Sequence, residues 1–180
     1  MNLFYKLFAK NNRENFDISN LIWSWIGSFL GLFAIAFFHR NFLDDSDLTL
    51  VLSSFGASAV LIYGAINSPL AQPKNLIGGH IISAIIGVFC YKLFGENLLF
   101  AAAIAVSSSI LVMQLTLTLH PPGGATALIA VIGTPQIHDL GYFFVIFPVF
   151  SGALILFLIA FVINNIPKNR AYPESFKNYL

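Results

Sequence analysis

Five stretches of this chain contain no Asp, Glu, Lys or Arg: residues 18–39, 48–73, 75–91, 97–138 and 140–167. A helix crosses the hydrocarbon core of a bilayer in about 20 residues, and these runs are of that order or longer. Hydrophobic residues make up 57% of the 180-residue chain and charged residues 9%, against about 25% charged in a soluble domain. A soluble domain could not cover its outside with so little charge. The runs are continuously apolar rather than alternating at period two, which argues against a β-barrel. Lipid therefore leaves the α-helix as the way to satisfy the backbone, and the fold class is all-α: a polytopic transmembrane helical bundle.

Candidate spans fall at residues 21–38, 48–66, 76–94, 98–119, 123–133 and 142–164. The fifth is too short to cross and reaches about half-way, at about 1.5 Å per residue. Basic residues mark cytoplasmic loops. Lys6, Lys10 and Arg13 precede the first span, Lys74 lies between the second and third, and Lys168, Arg170 and Lys177 follow the last. Asp44, Asp45 and Asp47 fill the first loop, and Lys92 is the one dissenting charge. Both termini are expected in the cytoplasm, with an even number of passages, six or four, in a bacterial inner (cell) membrane. Residues 1–20 read as an amphipathic or disordered lead without a cleavable signal, residues 21–166 as one transmembrane domain, and 167–180 as a short polar tail.

An internal repeat organises the domain. With one inserted residue, Gly56-Ala57-Ser58-Ala59 falls on Gly124-Ala125-Thr126-Ala127, and Thr49 falls on Thr116. Each copy is followed by a proline-bearing loop, Asn67-Ser68-Pro69 or Thr134-Pro135-Gln136, and then by a long apolar segment. Two three-segment units, about 21–94 and 98–164, would run inverted relative to each other, as in transporters whose sites sit on broken helices near the midplane.

The chemistry concentrates in His120-Pro121-Pro122-Gly123-Gly124-Ala125-Thr126. Two prolines end one helix and suit the first positions of another. Non-helical backbone at membrane depth needs protein or water around it. The N–H groups of a new helix starting there would favour an anion, with the Thr126 hydroxyl nearby. Ser53-Ser54-Phe55-Gly56 has no proline, so the second span either kinks or breaks there. If it breaks, Gly56, Ala57 and Ser58 present a second N-terminus facing the first, and dipoles rather than fixed charge hold the solute. His120 is an intramembrane ionisable group, a candidate donor, pH gate or proton carrier, with capping of the interrupted backbone as its structural alternative. His80, beside Gly78 and Gly79, reads as a satisfied histidine at the membrane interface.

His39, His80 and His120 lack metal-ligand spacing, no cofactor motif is present, and no basic stripe points to nucleic acid. Cys90 is the one cysteine, which excludes an intrachain disulfide. Gly27 and Gly31 form a close-packing face toward the same chain or another subunit. So small a bundle encloses little space, so a homo-oligomer is expected.

The run His120–Leu128, with Phe55–Ser58 and Ser68–His80, resembles the HPP family of integral membrane proteins, over residues 23–163. The resemblance implies a four-helix membrane protein. It also implies a role in nitrite transport, in which members in cyanobacteria and chloroplasts are implicated. The function expected is therefore a small-anion channel or secondary transporter for nitrite or a similar monovalent oxyanion. A membrane-embedded enzyme using His120 and a non-transporting membrane subunit are the alternatives.

Overall fold

The computed structural model describes residues 17–175. Helix α1 is Ile18–His39, α2 Asp45–Ala59, α3 Pro73–Phe94, α4 Leu98–Leu115, α5 Pro121–Ile132, α6 Pro135–Leu140 and α7 Ser151–Ile163. A π-helical turn, Val60–Gly64, prolongs α2, and another, Val145–Phe150, leads into α7. The expected lead overlaps this description only at its last residues, where α1 has already begun; the rest lies outside the described residues, as do residues 176–180 of the tail.

Polar side chains start the helices at the positions where backbone N–H groups lack partners. Asp17 accepts from Ser19 N–H at 3.0 Å, Asp44 from Asp47 N–H at 2.8 Å and Asn97 from Phe100 N–H at 3.1 Å. Pro73, Pro121 and Pro135 occupy first helical positions. The fourth span ends four residues earlier than expected. Leu117 adopts φ 56°, so Thr118 N–H bonds Met113 O at 2.9 Å and Leu117 N–H bonds Gln114 O at 3.2 Å. That is a Schellman closure with leucine in the place glycine usually takes.

Residues 18–39, 45–64, 73–94, 98–115 and 145–163 are long and apolar enough to cross a membrane. Helix α5, with 12 residues, spans only about 18 Å. Its start lies beside Leu70, and its far end beside the start of α2, where Thr134 donates to Asp47 at 2.5 Å. The two ends of the described chain meet: Asn169 Nδ2 bonds Asp17 at 2.6 Å and Arg170 bonds Asn20 O at 3.1 Å. Five long helices and the short α5 thus return the chain to the end where it began, in place of the four-helix count.

Helix α3 lies centrally, against α4 and α5 on one side and the start of α7 on the other. Missing side chains let it approach α5: a methyl on Gly79 would sit 2.5 Å from His120 Cβ, and one on Gly87 2.6 Å from Ala127 O. The Gly27/Gly31 face meets its own chain, Tyr63 filling the notch at Gly27 and Leu156 with Tyr63 that at Gly31. Away from this core, α1 presents Trp25, Phe29, Phe33 and Phe37 outward, each stacked on the next.

Candidate functional site

At the centre of the bundle, α2, α3 and α5 bring two imidazoles and three hydroxyls into one hydrogen-bonded chain. Thr126 Oγ1 lies 2.7 Å from His80 Nδ1, and His80 Nε2 lies 2.8 Å from Ser58 Oγ. Ser58 Oγ is in turn 2.9 Å from His120 Nε2, and His120 Nδ1 is 2.9 Å from the Leu70 carbonyl. At the other end Ser54 Oγ is 2.9 Å from Thr126 Oγ1 and donates to Pro122 O at 3.0 Å. His80, His120 and Ser58 have no solvent exposure, and Ser54 and Thr126 have 2%.

The carbonyl at one end orders the protons along the chain. Leu70 O can only accept, so His120 carries its proton on Nδ1 and, neutral, accepts at Nε2. Ser58 therefore donates to His120, which leaves His80 to donate from Nε2 to Ser58. His80 Nδ1 then accepts from Thr126, whose oxygen shares the single Ser54 proton with Pro122 O. From Thr126 onward every donor points toward Leu70, and each ring nitrogen has a partner. Among the described residues no Lys, Arg, Asp or Glu bonds to this chain. Only His80 and His120 offer metal-ligating nitrogens within it, and all four are already engaged.

Local sequence explains why the groups converge. Ser54 and Ser58 are one turn apart and face the same way on α2. Gly79 and Gly123 allow α5 to settle onto α3: a methyl on Gly123 would lie 2.7 Å from Ser83 Oγ and 3.0 Å from Gly79 O. The prolines set the start of α5, placing His120 just outside it in an extended conformation. His120 makes no side-chain cap on its own helix; its bonds go across to α2 and to the loop before α3.

Two expectations about the site are corrected. Helix α2 runs unbroken through Gly56, so the facing second N-terminus does not form. Without a proline every N–H there remains free to bond four residues back, and one glycine costs only about 1 kcal/mol. The α5 terminus also offers few donors. Pro121 and Pro122 have no N–H, and Gly123 N–H bonds His120 O at 2.8 Å.

Of the ten residues named from the sequence, the structure joins His120, Ser58 and Thr126, with Pro122 through its carbonyl, while Gly123 supports the packing. Pro121 and Ala57 are exposed, Gly124 and Ala125 half-buried. Gly56 is half-buried, with nothing within 4 Å of where a side chain would start. Sequence reasoning places His80 at the interface and names Ser54 only in the stretch where the second span could kink, not among the site residues. An ionisable residue inside a charge-free run and two serines one turn apart were the available signals.

The tail was also missed. Tyr172 OH donates to Ala71 O at 2.8 Å, one residue beyond the carbonyl that holds His120. Arg170, 5% exposed, reaches Tyr63 O and Asn164 Oδ1 at 2.7 Å, Asn20 O at 3.1 Å and Ser24 Oγ at 3.2 Å. Its Nε has no partner, and burial holds the guanidinium below its ordinary pKa. Residues 164–174 thus strap the π-helical turn of α2 and the loop 65–72 to the bundle.

Comparison with known proteins follows the same span. Two proteins of Dictyostelium discoideum, each named only as a transmembrane protein, are 47% and 43% identical over 160 residues, or 87% of this chain. They cover 56% and 51% of those proteins, so the chain spans about half the length of these relatives. No solved structure matches it. The family model for the HPP transmembrane region matches residues 13–173, which takes in every described helix and all of the strap but Glu174: this chain is a multi-pass membrane protein of the HPP family.

Proposed function

We propose that this protein is a secondary transporter for a small monovalent oxyanion, nitrite foremost, and that the anion moves with a proton handled by the His80–Ser58–His120 chain. The observation that carries the reading is two imidazoles joined through one hydroxyl in the bundle interior. Buried histidine chains of this kind suit proton relay. Imidazole and hydroxyl groups take the place of the helix N–H groups that the prolines remove once the solute displaces the bonds they make to one another. With no fixed charge beside the site, occupancy would be transient, as transport requires. A proton travelling with the anion cancels its charge, which lowers the cost of carrying it through a low-dielectric core.

Ser58 and Thr126, the polar positions matched by the repeat, meet on the two nitrogens of His80. That meeting supports reading the halves as an inverted pair around one site. The same proposal sets both termini in the cytoplasm of a cell membrane, from Lys74, Lys168 and Arg170 at one end, and has copies of the chain associate. The chain's residues are read as binding and relaying rather than as catalysing a reaction. Full-chain protein in liposomes is expected to take up nitrite above protein-free controls, with Thr126→Ala reducing uptake. The close packing at Gly79 and Gly123 favours the second reading, a non-transporting membrane subunit; absence of nitrite, nitrate and formate uptake would establish it over transport.

A further inference from the structure

A second polar cluster lies at the break in the π-helical segment that leads into α7. Phe147 is extended (φ −135°, ψ 123°) inside the π-helical segment, one of the places where non-helical backbone falls within a spanning stretch. His39, at the end of α1 and without exposure, closes this break. Its Nδ1 lies 2.8 Å from Ile35 O and its Nε2 2.9 Å from Ser151 Oγ, and Ser151 Oγ also reaches Pro148 O at 3.2 Å. The imidazole stacks on Phe147 at 4.8 Å. The cluster sits toward the end of the bundle opposite Leu70 and the strap.

One aromatic ring stands between this cluster and the histidine chain. Gly152 follows Ser151 and leaves a notch that the Phe55 ring fills; a methyl there would overlap Phe55 Cε2 and lie 2.6 Å from Cζ. On its other side the same ring is 4.8 Å from the His80 ring. Phe55 is 2% exposed and belongs to the continuous part of α2 between Ser54 and Ser58. Contacts therefore run from His39 and Ser151 through Gly152 and Phe55 to His80, with Phe55 the apolar step. A buried aromatic ring without polar atoms blocks small polar solutes by excluding water, as hydrophobic constrictions do. The ring packs directly on the Gly152 backbone with no side chain between, so opening this step takes a change of the Phe55 χ1 or a shift of α7.

We infer that Phe55 is the barrier between an outer polar cluster at His39–Ser151 and the inner site at His80–His120, and that solute passes when its ring leaves the Gly152 notch. The inference rests on the transport reading and names the residue that controls passage within it. Its test keeps the two separable by using two readouts on full-chain protein in liposomes.

The first readout is nitrite efflux, expected to rise about tenfold in Phe55→Ala and less in Phe55→Leu, as a lowered barrier dictates. The second is labelling of Ser58→Cys, in a Cys90→Ala background, by a membrane-impermeant thiol reagent added on the His39 side. Labelling is expected to be slow with Phe55 present and about tenfold faster with Phe55→Ala. Phe55→Leu keeps most of the ring's volume and serves if the alanine variant does not fold. Unchanged efflux and unchanged labelling in both variants would overturn the barrier. Wild-type protein that passes no nitrite would overturn transport instead, and the labelling alone would then decide whether Phe55 is the barrier.

Discussion

Ser58→Ala removes the hydroxyl that joins the two imidazoles, and its cost follows from what is left behind. His80 Nε2–H loses its acceptor and His120 Nε2 its donor, in rings with no exposure to solvent. Side-chain hydrogen bonds between membrane helices average about 0.6 kcal/mol, because the unfolded chain in lipid also finds partners. An orphaned buried group costs about 1–3 kcal/mol where water is the reference. Two orphans that neither water nor another side chain can reach place the loss near about 2 kcal/mol, between those scales. For a chain of this size that lowers the melting temperature by about 4–8 °C. The assay is thermal unfolding in detergent, with Ser53→Ala as control. Ser53 is exposed and its hydroxyl returns to Leu50 O in the same helix, so its loss should stay within about 0.5 kcal/mol. Equal melting temperatures for the two variants would refute the claim that Ser58 bridges the histidines.

Packing gives an independent contrast. Gly123→Ala and Gly79→Ala force a methyl into Ser83 and His120 respectively and should each cost about 1–3 kcal/mol, whereas Gly56→Ala meets nothing and should stabilise α2 by up to about 1 kcal/mol; thermal unfolding ranks the three. Arg170→Ala takes the guanidinium from Asn164 Oδ1 and Asn20 O and leaves Tyr63 O with Ser24 Oγ alone, and bonds to a charged group are worth about 1.5–3 kcal/mol each where buried. The variant should unfold at lower temperature and become sensitive to protease near residues 164–174. Arg170→Lys should not rescue it, because an ammonium cannot reach four acceptors in a fork.

Much of the fold could be read from charge-free runs and prolines, since both act locally. The apolar stretches placed all five crossing helices, and Pro121–Pro122 placed the short one. Leu117 was not legible: a leucine at positive φ gives no signal, unlike the glycine usual there, so α4 was extended too far. Whether α2 broke at Gly56 was also undecided locally, because glycine permits either outcome and only the packing of α2 on α5 and α7 selects the continuous helix. The site divides the same way. His120 stood out by sequence context, but Ser58 is 22 residues from His80, and Thr126 46. Their meeting depends on the close approach of α3 and α5, which no local pattern encodes. The strap was read as a bare tail because Arg170 finds only neutral partners, without a matching carboxylate to announce it.

Proton movement accompanying nitrite tests the central claim most directly. Liposomes holding the full chain and a trapped pH indicator are given an inward nitrite gradient at neutral pH with no imposed pH difference. The account predicts acidification of the lumen above protein-free liposomes, abolished in His120→Ala and strongly reduced in Ser58→Ala. Nitrite entry with no lumenal acidification, or acidification that survives both substitutions, would contradict it.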